Sequence, residues 1–290
     1  MKLLHFIENN KAKLGIKTNK GIIDVEKTVL ENNSTLPTTL IDLMTNSNND
    51  TNYLKQYLNL VPTFISEDKI TYAPSVPYPG KILCIGLNYY SHTNEINYEQ
   101  PKIPTIFSKF SDCVVAHNSE ICLPKDTYKF DYEAELVIVI GKTAHNVSKE
   151  DALSYVFGYS IGNDFSAREL QLLTTQWLIG KSCDDFAPLG PYIVTRDEID
   201  PNNLDIKCEV NGQLCQSSNT NNMIFSCADI ISYISKYITL KPGDIIYTGT
   251  PDGVILGKNE NEQNWLKSGD KIDISIENIG TLSNTLKNYE

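Results

Sequence analysis

The stretch Phe130-Asp131-Tyr132-Glu133-Ala134-Glu135-Leu136-Val137-Ile138-Val139-Ile140-Gly141 sets two carboxylates directly beside residues suited only to a protein interior. An apolar, β-branched run closed by glycine predicts a strand. Side chains alternate faces along a strand, so Glu133 and Glu135 point the same way. Two like charges at the margin of a core repel each other and need a partner, and a cation is the simplest one. A solvated strand edge carrying both acids on its wet face would give the same pattern.

Composition narrows the partners. The chain has 290 residues, 41% of them hydrophobic, enough for one large domain or a large one with a small companion. Its formal net charge of −11 argues against nucleic acid and anionic membrane surfaces as partners. No stretch approaches the roughly 20 apolar residues of a membrane span. Met1-Lys2-Leu3-Leu4-His5-Phe6 meets polar residues at once, which does not read as a signal peptide. Seven cysteines without a CxxC pair suggest reduced thiols and a cytoplasmic setting.

Residues 1–75 read as a small α+β unit. Lys2 to Glu8, Lys13 to Lys17 and Ile22 to Val25 are predicted strands, and Thr39 to Thr45 and Asn52 to Leu60 short helices. Pro74, Pro77 and Pro79 then mark a stiff linker. The rest of the chain, 80–290, is predicted mostly β. Lys81 to Gly86 and Ile106 to Phe110 read as strands, and Asn211-Gly212 as the turn of a hairpin. Helices are expected from Ser148 to near Gly158 and from Ser226 to Tyr237. Leu240 to Asp244 and Leu266 to Asp270 share an L-K-x-G-D pattern, a tight turn entering a strand.

Several polar residues of the second segment can carry chemistry. His92 and Glu95 meet on one face if Leu87 to Glu95 is helical, and a carboxylate beside an imidazole suits a general base. The polar, proline-limited stretch of about 88–104 would act as a lid that orders over a ligand. A surface pair without a role fits the same spacing. Asp164 falls at a predicted strand end. If that strand pairs beside the Glu133 strand, three carboxylates cluster and select a hard cation, Mg²⁺, Mn²⁺ or Ca²⁺, over zinc. Lys181 follows a glycine where backbones approach closely and could meet an anionic substrate, or simply lie in solvent. The loop Thr248-Gly249-Thr250-Pro251-Asp252-Gly253 offers amides and hydroxyls that can hold a carboxylate, or is an ordinary turn.

Taken in order, N-Y-x-x-H-x-x-E (Asn88 to Glu95), D-Y-E-x-E-L (Asp131 to Leu136), N-D-x-x-A-R-x-x-Q (Asn163 to Gln171), G-K-S (Gly180 to Ser182), G-P (Gly190, Pro191), V-N-G (Val210 to Gly212) and T-G-T-P (Thr248 to Pro251) resemble the fumarylacetoacetate hydrolase family over about residues 80–285. The resemblance implies a mixed β-roll catalytic domain and a homodimer. It implies a divalent cation, Mg²⁺ or Mn²⁺, on Glu133, Glu135 and Asp164, and His92 and Glu95 as the acid–base pair. Arg168, Gln171, Lys181 and Thr250 match the family's substrate contacts, and the charge of Lys181 gives it a catalytic part. Two departures stand out: Glu169 replaces the more usual Asp, and Ile255 in Val254-Ile255-Leu256-Gly257 is expected to narrow a loop that is usually glycine-rich.

Members of that family hydrolyse C–C bonds of β-diketo acids, decarboxylate or tautomerise oxaloacetate, or isomerise unsaturated oxo-diacids. One step unites these reactions, the stabilisation of an enolate at C3 of a 2-oxo-carboxylate. The resemblance therefore implies a small 2-oxo or diketo acid as substrate. Cleavage of an acylpyruvate-type compound is the first expectation, with decarboxylation, tautomerisation or isomerisation as the alternative. A ligand-binding protein without catalysis is the remaining class.

Overall fold

The computed structural model describes residues 1–95 and 99–289. The strand predicted around Glu135 is its centre. Ala134–Ile140 is buried along its whole length. Leu136, Ile138 and Ile140 pack into one apolar cluster, and Val137 and Val139 into a second on the opposite face. A strand covered on both faces reads as a continuous apolar run, which is what this sequence shows.

Among the described residues, twelve strands form one mixed sheet around it. The main path runs Phe64–Ile65, Gly21–Asp24, Lys11–Thr18, Lys2–Glu8, Ala187–Thr195, Val156–Asn163, Ala134–Ile140, Ile245–Tyr247, Ile82–Gly86, Thr105–Lys109. Ile245–Tyr247 and Ile82–Gly86 run parallel, while Val156–Asn163 and Ala134–Ile140 run antiparallel. A second sheet of five strands packs against the first cluster. In it, Ile206 and Cys208 alternate with exposed residues along Asp205–Val210, the pattern of a sheet with one wet face. The mostly β, mixed-sheet architecture is the one expected.

The sheet runs across the proline linker. Lys2–Glu8 pairs with Ala187–Thr195, matching Lys2 with Val194. Leu3, Leu14 and Leu43 share the second cluster with Val137, Val139 and Phe157. Asn49 Nδ2 donates to the carbonyls of Ser154 and Val156, tying the first 75 residues to the second segment.

Local structure follows the sequence in most places. The hairpin turn at Asn211 and Gly212 has φ of 51° and 78°, as its residue types require. Ser226 caps Cys227–Ser235 with a full capping box. Both L-K-x-G-D turns form, with Asp244 accepting from the Lys241 amide and Asp270 from the Lys267 amide. Two readings need correction. The helix expected after Ser148 is a single 3-10 turn, Ala152–Tyr155, and Val156–Asn163 is a strand. Ser148 does accept from the Asp151 amide, but Val156 and Phe157 are claimed by the central sheet, and tertiary burial overrides the local start signal. A helix at Val25–Glu31 was not anticipated, although Asp24 caps it from within the expected strand.

Buried His5 and half-buried His117 contribute to the acid sensitivity of this fold. Burial pushes His5 down to about 4, only partly offset by its 2.9 Å contact with the Ser75 carbonyl. Burial likewise takes His117 to about 4, partly offset by Asp273, and its ring stands edge-on to Tyr72. Both lie below the ordinary histidine value of about 6.5, so the unfolded chain binds more protons between those values. Their contribution to stability is complete above about pH 6.5 and is lost as pH falls toward 4. The double variant His5→Asn/His117→Asn should lose less Tm than wild type between pH 7.5 and 4.5. The comparison isolates the histidines from the buried carboxyls, and an equal loss in both proteins would refute it.

Candidate active site

The two carboxylates of the opening stretch meet the third as expected. Ala134 pairs with Asn163 and Glu135 with Gly162, so the strand end delivers Asp164 beside them. Carboxylate oxygens of Glu133, Glu135 and Asp164 lie within 4.8 Å of one another, and all three residues are buried. The Asp164 amide donates to the Glu133 carbonyl, and the Asn163 side chain accepts from the Glu133 amide.

Cations of the chain surround this cluster. Lys181 Nζ lies 2.7 Å from both Glu133 Oε2 and Asp164 Oδ2. It also sits 5.2 Å from the centre of the Phe107 ring. Leu178–Lys181 reaches that place because Gly180 presses on the backbone of Gln171, where any Cβ would overlap it. The Lys181 side chain is therefore buried rather than in solvent. Arg168 Nη2 reaches Glu133 Oε1 at 2.6 Å, Nε reaches Asp131, and Nη1 reaches Gln171 Oε1. Its guanidinium, matched in sequence to a substrate contact, is taken up by side chains of the protein.

Two participants escaped the sequence reading. Lys109, fully buried at the end of Thr105–Lys109, donates to the carbonyls of Phe165, Lys181 and Phe186. Its Nζ lies 2.6 Å from Asp164 Oδ1, close enough to pair in charge but without hydrogen-bond geometry. A lysine on the same strand face as Phe107 was the available signal. Asp131, quoted within D-Y-E but given no role, accepts from Arg168 and from the amides of Ile255 and Leu256.

The electrostatics are unequal across the three acids. Burial pushes the Glu133 carboxyl up, but Lys181 and Arg168 outweigh burial and bring it down to about 2. Burial raises Glu135 well above the usual carboxylate range, and the charges of Asp164 and Glu133 raise it further. The Gly249 amide, 2.6 Å from Glu135 Oε2, opposes that only in part. Gly249 holds a φ of +103°, which brings its amide to the acid and its Cα against Asn88. Formal charges of Asp131, Glu133, Glu135 and Asp164 against Lys109, Arg168 and Lys181 leave one uncompensated negative charge. An all-oxygen donor set that is one cation short fits a hard divalent ion.

His92 and Glu95 stand across the same space on the helix Tyr90–Glu95. His92 Nδ1 is 3.5 Å from Glu95 Oε2, and the Gly253 amide donates to both oxygens of Glu95 at 3.1 and 3.2 Å. Asn88, just ahead of the helix, bonds to the carbonyls of Thr248 and Phe225, so the start of the expected lid is tied to the core. Residues 96–98 of that stretch lie outside the described residues. The 248–253 loop thus does hold carboxylates, those of Glu95 and Glu135.

All nine residues singled out in the sequence line one cavity of about 640 Å³: His92, Glu95, Glu133, Glu135, Asp164, Arg168, Gln171, Lys181 and Thr250. Thr250 Oγ1 accepts from Gln216 and faces that space. Ile255 does not narrow it, because its side chain is buried in the core; Leu256 and Gly257 form that wall. Glu169 is engaged elsewhere, accepting from Thr127 and the amides of Tyr128 and Lys129.

The family model for the fumarylacetoacetate (FAA) hydrolase C-terminal region matches residues 81–287. A Dictyostelium discoideum fumarylacetoacetate hydrolase domain-containing protein 2 homolog is 51% identical over 220 residues, 72% of each chain. The Rattus norvegicus oxaloacetate tautomerase Fahd2a, mitochondrial, is 41% identical over 86% of this chain and 80% of its own. Among solved structures, fumarylacetoacetate hydrolase of Exiguobacterium antarcticum superposes with a TM-score of 0.84 at 34% identity, covering 100% of both chains. Maleylpyruvate hydrolase of Sphingobium sp. SYK-6, in complex with manganese(II) and pyruvate, gives 0.80 at 28% identity with the same coverage.

A raised Glu135 predicts how a cation would bind. Below its folded-state pKa the carboxyl carries a proton that must leave before it can coordinate. Affinity for Mg²⁺ or Mn²⁺ should therefore rise with pH, and titration calorimetry in buffers of different ionisation enthalpy should show proton release on binding at the acid end of that rise. Glu135→Gln should abolish the release and weaken binding. Equal affinity at pH 6 and 8 with no proton released would contradict the assignment.

Proposed function

This chain belongs to the fumarylacetoacetate hydrolase family, and from that premise we propose that it is a divalent-metal-dependent enzyme that moves a proton at C3 of a 2-oxo acid, with the keto–enol interconversion of oxaloacetate as its reaction. The observation that carries this reading is the placement of the three-acid cluster and the His92–Glu95 pair on one cavity. Relatives named oxaloacetate tautomerase, among them one 41% identical over 86% of the chain, favour that reaction among those of the family.

A divalent cation on Glu133, Glu135 and Asp164 would supply Lewis acidity toward the carboxylate and oxo oxygens of the acid. The remaining tasks fall to side chains. Glu95, fixed by the Gly253 amide, accepts from Nδ1–H of His92 and so holds the tautomer whose Nε2 is unprotonated and able to act as a base. In the keto-to-enol direction His92 removes the C3 proton. The C–H electron pair becomes the C2–C3 double bond, the carbonyl pair settles on oxygen, and that oxygen takes up one proton from solvent while His92 gives the C3 proton up to solvent. Lys181, locked between Glu133 and Asp164, places a fixed positive charge beside the region where that oxygen develops charge. Gln171 and Thr250 line the same cavity.

C–C hydrolysis, the first expectation from the motifs, is the second reading. A cavity of about 640 Å³ is of drug-sized volume and leaves room for an acyl chain beyond C3. Relatives titled mitochondrial do not fit a strictly cytoplasmic setting for such proteins, and among the described residues no helix is long and apolar enough to cross a membrane. The homodimer belongs to the same proposal.

The test follows the decay of enol-oxaloacetate by absorbance. Wild type with Mg²⁺ should accelerate it, EDTA treatment should remove the acceleration, and restored Mg²⁺ or Mn²⁺ should return it. His92→Ala should lower the rate by about 10²–10⁴-fold while remaining folded and still binding the cation. Full activity in the chelated enzyme, or in His92→Ala, would contradict this reading. Cleavage of acetylpyruvate without any effect on oxaloacetate would favour the hydrolytic one.

A further inference from the structure

The cations at the inner end of the cavity are all committed. Lys109 serves Asp164, Lys181 serves Glu133 and Asp164, and Arg168 serves Asp131, Glu133 and Gln171. With a divalent cation bound, the formal charge of that inner cluster becomes +1, which one carboxylate of a 2-oxo acid neutralises. A second carboxylate on the same substrate finds no free partner there. One further lysine lines the cavity: Lys258, exposed at the rim, whose side chain has no partner among the described residues.

The backbone that carries Lys258 is held in fixed relation to the acids. Asp131 grips the amides of Ile255 and Leu256 at 2.9 and 3.0 Å, and through Arg168 it connects to Glu133. The Lys258 amide donates to the Ile255 carbonyl. From the other side Gln263 Nε2 donates to the carbonyls of Leu256 and Lys258. A flexible ammonium on an anchored loop, facing a cavity with no other uncommitted lysine or arginine, can meet a distal anion without disturbing the inner cluster.

We propose that Lys258 is a specificity-determining residue that pairs with the distal carboxylate of an oxo-diacid substrate. This rests on the 2-oxo acid reading of the site and deepens it. It sets dianionic 2-oxo acids apart from monoanionic ones with the same chelating end. Two features of the same cavity work against it: Glu260 on the rim repels a carboxylate, and the wall of Phe107, Leu172, Trp177 and Leu256 suits an apolar tail.

Oxaloacetate and pyruvate differ only by the distal carboxylate, so they make the comparison. Their dissociation constants are measured by calorimetry on Mg²⁺-loaded wild type, Lys258→Gln and Lys258→Arg, independently of turnover. Lys258→Gln should weaken oxaloacetate by about tenfold and leave pyruvate within twofold, as expected for loss of one charge-assisted contact. Lys258→Arg should restore oxaloacetate binding, and added salt should weaken oxaloacetate more in wild type than in Lys258→Gln. In the tautomerase assay the same loss should appear in KM with kcat preserved. An unchanged oxaloacetate affinity in Lys258→Gln, or an equal loss for both acids, overturns the proposal. Selective loss of oxaloacetate binding in a protein that turns over no oxaloacetate would uphold the role of Lys258 and refute the tautomerase reading.

Discussion

Four carboxylates and three cations of this chain meet, buried, at the inner end of one cavity, and the number is uneven. Buried charges tolerate no such imbalance without a further partner or a proton. Glu133 is provided for by Lys181 and Arg168 and stays ionised, whereas Glu135, one strand position pair away, is pushed toward its protonated form. The central strand forces this closeness, because Ala134–Ile140 is buried on both faces, Glu135 lies within it, Glu133 immediately precedes it, and its partner strand ends beside them at Asn163. A buried all-oxygen donor set that fits a divalent cation is the consequence.

The loop from Thr248 to Leu256 gives the arrangement its rigidity. Within nine residues it donates the Gly249 amide to Glu135, the Gly253 amide to Glu95, and the Ile255 and Leu256 amides to Asp131. Three acids with three different tasks are thereby indexed to one backbone segment. That segment is itself secured by Asn88, which binds the Thr248 carbonyl, and by Gln216, which binds Thr250. The base pair, the cation-binding acids and the cavity wall therefore keep their relative places without a large secondary-structure element between them.

Much of this was legible in the sequence. Alternation along 130–141 anticipated that Glu133 and Glu135 share a site, and the strand end at Asn163 delivered Asp164, although the strand itself begins only at Ala134 and Phe130–Asp131 pairs in a separate small sheet. Turn chemistry at Asn211-Gly212 and at both L-K-x-G-D turns was equally readable, since positive φ and carboxylate-to-amide bonds are local facts. What escaped was non-local. Lys109 looked like any lysine in a strand, and only the packing of Phe165, Lys181 and Phe186 turns it into the counter-charge of Asp164. The helix expected after Ser148 lost to the pairing of Val156–Asn163 with the central strand. The sharing of one sheet across the proline linker depended on a pairing of Lys2 with Val194, far beyond the reach of local patterns.

The central claim is that Glu133, Glu135 and Asp164 together bind one divalent cation. Anomalous diffraction at the manganese edge from crystals of the protein equilibrated with Mn²⁺ tests it most directly. The account predicts a single strong peak within coordination distance of all three carboxylates, with Lys181 still bridging Glu133 and Asp164 or displaced by less than a side-chain rotamer. Manganese bound elsewhere, or no peak in this space from protein that turns over its substrate, would contradict it.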